Sequence, residues 1–206
     1  MTHYPVPARI TRIENVVVNS RFIATIGRAD TVDEAKAFIQ AIRDEMPDAT
    51  HHVYAFKVGY GGSITEGMSD DGEPSGTSGP PMLAVLRGAD LGDVVIVVTR
   101  YFGGTKLGTG GLVRAYGGAA KDAVAALPVE LKIDRCTIGI SVAYTYYERL
   151  KLLLDEHHAE IDAEEFAADV TVYAHLPVDQ LDALTSALQN LTAGQVAPIL
   201  LDNPED

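Results

Sequence analysis

The sequence predicts an α+β protein of two domains, and three observations carry that prediction. Five consecutive β-branched residues, Val94-Val-Ile-Val-Val98, describe a strand covered on both faces. Segments with apolar residues at helical spacing alternate with segments of period two along the chain. The charge balance also breaks at Ile133: residues 1–132 hold 13 Lys and Arg against 15 Asp and Glu, net −2, whereas residues 134–206 hold 3 against 14, net −11. Two units of different electrostatic character follow, residues 1–132 and 133–206.

The first unit opens with β-branched stretches at Arg9–Val18 and Arg21–Ala29, read as strands meeting at an Asn19-Ser20 turn. Thr31-Val-Asp-Glu34 is a capping box, after which Val32, Ala35, Phe38, Ile39, Ile42 and Met46 fall on one helical face ending before Pro47. His51–Tyr60 and Ser63–Met68 alternate across Gly61-Gly62, a hairpin signal. Pro81–Arg87 suits a short helix, Gly92–Phe102 holds the buried strand, and Thr109–Leu127 is helical up to Pro128. In the second unit, strands are expected at Thr137–Thr145, Glu160–Glu165, Ala168–Leu176 and Gln195–Leu201. One helix carries Tyr147, Leu150, Leu154 and His157; another opens at Pro177 with Leu181, Leu184, Leu188 and Leu191 on one face. The order is βαββαβ, a ferredoxin-like split βαβ, and Asp202–Asp206 reads as a frayed tail.

Composition narrows the class. With 47% hydrophobic and 22% charged residues, the chain of 206 residues is globular rather than disordered. The single Cys136 excludes an internal disulfide and a multi-cysteine zinc site, which fits a reducing compartment. The start, MTHYPVPARI, has no charged region followed by an apolar core, and no apolar run approaches the ~20 residues that span a bilayer, so a cytoplasmic protein is expected. No Lys or Arg follows Lys151, which argues against a second unit that grips phosphate backbones.

Chemistry concentrates between Ser69 and Tyr116, where ten of the 19 glycines fall between Gly72 and Gly111. Glycine loses the most entropy on ordering, so this density points to a binding surface. Asp70, Asp71 and Glu73 beside Gly72 either aim three carboxylates at a cation or a basic partner, or form an ordinary Asp-Gly turn; their spacing is not that of a calcium loop. Gly103-Gly-Thr-Lys-Leu-Gly-Thr-Gly-Gly111 leads from a buried strand into a helix, an arrangement that turns backbone N–H groups toward an anion. Arg100, Lys106 and Arg114 add charge there, although Gly108-Thr109 is not the ending of a P-loop. The alternative is a tight strand-to-helix turn, with Gly117 and Gly118 allowing close helix packing. His51 and His52 start a strand and point to opposite faces, so they do not share a metal. Ser75, Thr77 and Ser78 lack a placed base, and Cys136 reads as a small buried apolar residue, so no catalytic constellation, metal site or cofactor is expected.

These segments, Asp70-Asp-Gly-Glu-Pro-Ser-Gly-Thr77, Thr99-Arg-Tyr-Phe-Gly-Gly104, Leu107-Gly-Thr-Gly-Gly-Leu112 and Arg114-Ala-Tyr116, together resemble the signature of the IMPACT/YigZ family, with Asn19-Ser-Arg-Phe-Ile23 and the His51-His52 strand in support. The resemblance covers most of residues 1–127. It implies an N-terminal ribosomal protein S5 domain 2-like domain followed by a small ferredoxin-like domain. The same two fold types follow each other in the C-terminal half of elongation factor G, and eukaryotic relatives of the first domain act in translational control. The resemblance therefore implies a non-enzymatic translation-linked regulator that binds ribosome, RNA or a translation-associated protein through Ser69–Tyr116. Asp70, Asp71, Glu73, Arg100, Tyr101, Gly103, Gly104, Lys106, Gly108, Gly110, Gly111 and Arg114 are the expected binding residues, with the carboxylates setting selectivity or holding a cation. The alternative is an enzyme or binding protein acting on a nucleotide or phosphorylated metabolite at Gly103–Gly111.

Overall fold

The structure, a computed structural model, describes residues 3–201; the expected tail Asp202–Asp206 lies outside them. The chain divides into two compact units between Lys132 and Ile133. Their elements are β1 (His3–Pro7), β2 (Thr11–Val17), β3 (Ser20–Arg28), α1 (Val32–Glu45), β4 (His51–Tyr60), β5 (Ser63–Ser69), α2 (Gly79–Gly88), β6 (Val94–Tyr101), α3 (Gly108–Ala126) and β7 (Val129–Ile133), then β8 (Arg135–Val142), α4 (Tyr144–Glu156), β9 (Glu160–Phe166), β10 (Val170–Pro177), α5 (Leu181–Leu191) and β11 (Ile199–Leu201).

The first unit is built on a five-stranded antiparallel sheet in the order β2-β3-β6-β4-β5. Because side chains alternate across a strand, the β-branched run of β6 feeds two cores. Val94, Ile96 and Val98 join Phe22, Ala24, Val53, Leu86 and Tyr116 beneath α2 and α3. Val95 and Val97 join Ile39, Ile42 and Phe56 beneath α1. The α1 cap forms with a shifted return bond: Thr31 Oγ1 accepts from Glu34 N at 3.1 Å, while Glu34 Oε2 accepts from Asp30 N at 2.7 Å, one residue before the N-cap. The first hairpin turns one residue earlier than expected, with Val17 opposite Ser20 and positive φ at Val18 and Asn19 (46° and 65°), as a tight hairpin turn of right-handed twist requires.

Two strands escape sequence patterning. β1 and β7 pair as a separate two-stranded sheet. Pro5 and Pro7 remove ladder donors and hide β1 from a strand reading, while β7 has only five residues. Lys132 on β7 reaches Asp93 at 2.6 Å and Asp30 at 2.9 Å, and Tyr4 on β1 donates to Asp93 at 2.8 Å. These carboxylates outweigh the effect of burial and hold the Lys132 ammonium above its ordinary pKa.

The second unit is a four-stranded sheet in the order β11-β8-β10-β9 with α4 and α5, the ferredoxin-like arrangement. Its core is apolar and continuous, from Ile138, Ile140 and Val142 to Leu150, Leu154, Leu184 and Leu188. Pro177 ends β10 rather than opening a helix; a 3-10 turn, Val178–Gln180, intervenes before α5. The last strand is shorter than read, three residues at Ile199–Leu201. No helix among the described residues is long and apolar enough to cross a membrane.

Thr31→Ala removes the α1 cap and should lower stability by about 1 kcal/mol in urea denaturation. An unchanged midpoint would show that α1 is held by its apolar face alone.

Candidate functional site

The sequence signature converges on one end of the five-stranded sheet, at a buried carboxylate. Strand alternation puts Arg100 on the same face as Val98 and Ile96, toward α2 and α3, and Tyr116 comes down from α3 onto that face. Glu73 Oε1 accepts from Arg100 Nη1 at 2.6 Å and from Tyr116 Oη at 2.7 Å. Arg100 Nη2 donates to Ser20 Oγ at 3.3 Å, and His51 Nε2 stands 3.9 Å from Glu73. Glu73 is 8% and Arg100 5% exposed, so the pair is dry. The guanidinium lies between the rings of Phe22 and Phe102, each at 5.4 Å, and its buried Nε has no hydrogen-bond partner among the described residues. Burial, then the Glu73 hydrogen bond, pushes the Tyr116 hydroxyl far above its ordinary pKa, so it remains a donor.

The other two acids face elsewhere. Asp70 accepts from Gly76 N, Ser78 N and Gly79 N at 2.8, 2.9 and 2.8 Å, which caps the start of α2 from eight residues upstream of Ser78. Burial opposes its charge, but the three N–H donors outweigh it and hold the carboxyl below the usual range. Asp71 accepts from Arg43 Nη2 at 2.8 Å and from His52 N at 2.6 Å, and its own carbonyl meets His51 Nδ1 at 2.7 Å. Asp70, Asp71 and Glu73, expected to set selectivity or hold a cation, each have a separate internal partner, so the three do not converge on one cation. Among the described residues no three His, Cys, Asp or Glu side chains converge as a metal-ligand set.

The expected cations are likewise separated. Arg100 is buried and paired, so it does not face a phosphate as expected. Lys106 and Arg114 are exposed and have no ion-pair partner among the described residues. Lys106 lies on the loop before α3, whereas Arg114 lines a groove between α2 and α3. Tyr101 faces the α1 side and donates to Asp48 at 3.0 Å, with Arg21 over its ring at 5.2 Å.

The glycines divide in the same way. A Cβ on Gly103 would stand 2.0 Å from the Asn19 carbonyl oxygen, so glycine there is demanded by the first hairpin, and Gly103 N donates to Ser20 Oγ at 3.2 Å. Gly104 and Gly108 have positive φ, 83° and 71°. Gly110 meets nothing within 4 Å, and Gly111 meets only Leu107. Gly117 and Gly118 do not serve close helix packing as read: a Cβ at Gly117 makes an ordinary 3.7 Å contact with Pro81, and one at Gly118 meets nothing. α3 starts with no side-chain cap and no acid in its first turn. Sequence reasoning missed His51, Ser20, Phe102 and Tyr116 as members of the network. Period two in β6, which places Arg100 beside Val98, was the available signal.

Glu73→Leu leaves Arg100 charged and buried, and should cost about 3–5 kcal/mol. Adding Arg100→Met should recover part of that loss in urea denaturation, whereas simple additivity would show that the two side chains act independently. His52 supplies a pH test. Burial lowers its pKa, against a smaller opposing effect of Asp71. The unfolded chain therefore takes up the proton first as pH falls below about 6.5, and folded stability drops from there toward the lower folded value. His52→Gln should flatten this slope; an unaltered slope in His52→Gln would assign it to other groups.

The Impact N-terminal domain family matches residues 18–124, and a domain of unknown function, DUF1949, matches residues 140–195. An IMPACT family member of Haemophilus influenzae is 35% identical over 98% of this chain and 98% of its own length. The IMPACT family member YigZ of Escherichia coli is 34% identical over 98% of this chain and 100% of its own. A crystal structure of a hypothetical protein superposes with a TM-score of 0.74 at 34% identity, covering 98% of this chain and 99% of that one. Ser20, Glu73, Arg100 and Tyr116 all fall inside the first matched segment, and with relatives aligned along nearly the whole chain the protein belongs to the IMPACT family.

Proposed function

We propose that the protein is a translation-linked regulator that works by binding, and that its contact surface for the ribosome, RNA or a translation-associated protein is built from two loops radiating from the Glu73–Arg100 pair. One is the exposed Pro74–Gly76 turn. The other is Phe102–Gly110, cytoplasmic partners being those within reach of a protein of this kind. The observation that supports this most is Phe102: its ring packs on the buried Arg100 guanidinium yet is 46% exposed, so an aromatic platform is held rigid at the surface. Exposed Lys106 follows it on a glycine-rich backbone that lets a partner approach closely. A rigid aromatic beside a cation suits both nucleobases and protein surfaces. Family resemblance to eukaryotic proteins of translational control supplies the link to translation. The acidic second domain is better suited to a basic partner than to direct nucleic-acid contact.

One observation favours a second reading, a nucleotide or phosphorylated metabolite bound at Gly103–Gly111. The uncapped, acid-free start of the 19-residue α3 leaves backbone N–H groups and a positive dipole end for an anion.

Co-sedimentation with ribosomes, with and without RNase, tests the first reading. Salt-dependent pelleting is expected, and Phe102→Ala with Lys106→Glu should abolish it while Tm stays unchanged. Pelleting that survives both substitutions overturns the assigned surface. A Tm rise with GTP or ATP and Mg²⁺, corresponding to about 2.7 kcal/mol at ~100 times Kd, would replace it by the second reading.

A further inference from the structure

We propose that the groove between α2 and α3 is a docking site for an acidic, apolar helical segment of a partner protein. The groove encloses about 730 Å³, and ten of its twelve lining residues are Gly, Ala, Val or Pro. The other two are Arg114 and Lys121, seven residues apart on α3 and hence on one side of the helix. Neither has an ion-pair partner among the described residues. Among the described residues, ten of the 16 Lys and Arg side chains are in ion pairs and Lys57 is held by two backbone carbonyls, so two cations without a described partner on one groove stand out in a chain of net charge −13.

The glycines of the groove point the same way. An interior helical glycine costs up to about 1 kcal/mol relative to alanine. Gly117 and Gly118 lie mid-helix in α3, yet none of the described residues occupies the space a Gly118 side chain would take. Small residues without an internal neighbour let a second backbone come close. Val85 and Val124 pack against the core below and present an apolar floor, and Val113 is exposed at 41%. The walls are two helices, as in complexes where an amphipathic helix lays its apolar face into a groove. Charge complementarity then sets the sign of the occupant: carboxylates flanking its apolar stripe, to meet Arg114 and Lys121. A single nucleic-acid strand is the poorer fit, because no aromatic side chain lines the groove for base stacking. This site goes beyond the loop surface proposed above and does not depend on it.

The test uses the full chain and a fluorescein-labelled peptide of about 18 residues, roughly 27 Å as a helix, with Leu at helical spacing and Glu on both flanks. A twin peptide carries Lys in place of Glu. Fluorescence anisotropy should show saturable binding of the Glu peptide and at least tenfold weaker binding of the Lys twin. Arg114→Glu with Lys121→Glu should weaken the Glu peptide by tenfold or more. Gly118→Leu should close the groove and do the same, with Tm unchanged or raised, because leucine favours helix. No binding of the Glu peptide, equal binding of the twin, displacement by an oligouridylate strand, or insensitivity to the charge-reversal pair would each overturn the proposal. Retention of Phe102-dependent ribosome pelleting in these variants separates its failure from that of the loop surface.

Discussion

Glu73 is the constraint on which the loop-bearing end of the first domain depends. A carboxylate with almost no exposure is tolerable only if its charge is met in place, and the partner available is Arg100, delivered by the last residues of β6. The pair is met in turn by Tyr116 from α3 and Ser20 from the start of β3. One oxygen atom therefore fixes the relation of a turn, a strand end and a helix, while the arginine adds a hairpin. Buried ion pairs often bring little net stability over apolar substitutes. Their geometry, however, is exacting, and here it determines where Pro74–Gly76 and Phe102–Gly110 stand.

The distribution of charge follows from that economy of partners. In the first domain most cations are matched: Arg12 with Glu45, Arg87 with Glu66, Arg43 with Asp71, Lys132 with Asp30 and Asp93. Among the described residues, Lys57 is held by backbone carbonyls, and Arg9, Lys106, Arg114, Lys121 and Arg149 have no carboxylate partner; three of these five lie on α3 or the loop before it. Near neutrality of the domain thus conceals one helix with a positive solvent side. The all-exposed β9 of the second domain, with Glu160, Asp162, Glu164 and Glu165, carries the opposite sign. Salt screening over about 8–10 Å keeps such fields local, so each acts on what docks beside it rather than on distant partners.

How much of this was legible in the sequence depends on the range over which each residue's partner is found. The N-cap at Thr31, the two-sided core from Val94 to Val98 and the βαββαβ order are local patterns, and the structure has them. Asp70 capping α2, Asp71 holding Arg43 and Glu73 meeting Arg100 are pairings across turns and strands, invisible to spacing rules. Arg100, three residues before Gly103-Gly104, reads as facing an anion by composition; alternation along β6 contradicts that, and alternation wins because Val98 and Arg100 share a face. The groove had a signal of its own in Arg114, Gly117, Gly118 and Lys121, which share one side of α3 at helical spacing. Spacing alone suits Gly117 and Gly118 to close helix packing, because only the fold reveals that α2 leaves the space beside them open.

α3 joins these strands of argument. Its glycines at 110, 111, 117 and 118 make it a poor helix in isolation, by roughly 1 kcal/mol for each. Tertiary packing must compensate, and it does so on one side, where Leu112, Ala115, Tyr116, Ala119, Ala120 and Ala123 are buried. Tyr116 is the largest of these, fully enclosed against Phe22 with ring centroids 5.1 Å apart and tied to Glu73 through its hydroxyl. The same tyrosine that orders the helix is thus anchored by the acid that orders the turn. Glu73 is thereby tied both to Arg100, on which the Phe102 ring rests, and to the helix that carries Arg114 and Lys121. The proposed loop and groove surfaces are chemically separate, yet one buried carboxylate bonds to the elements behind both.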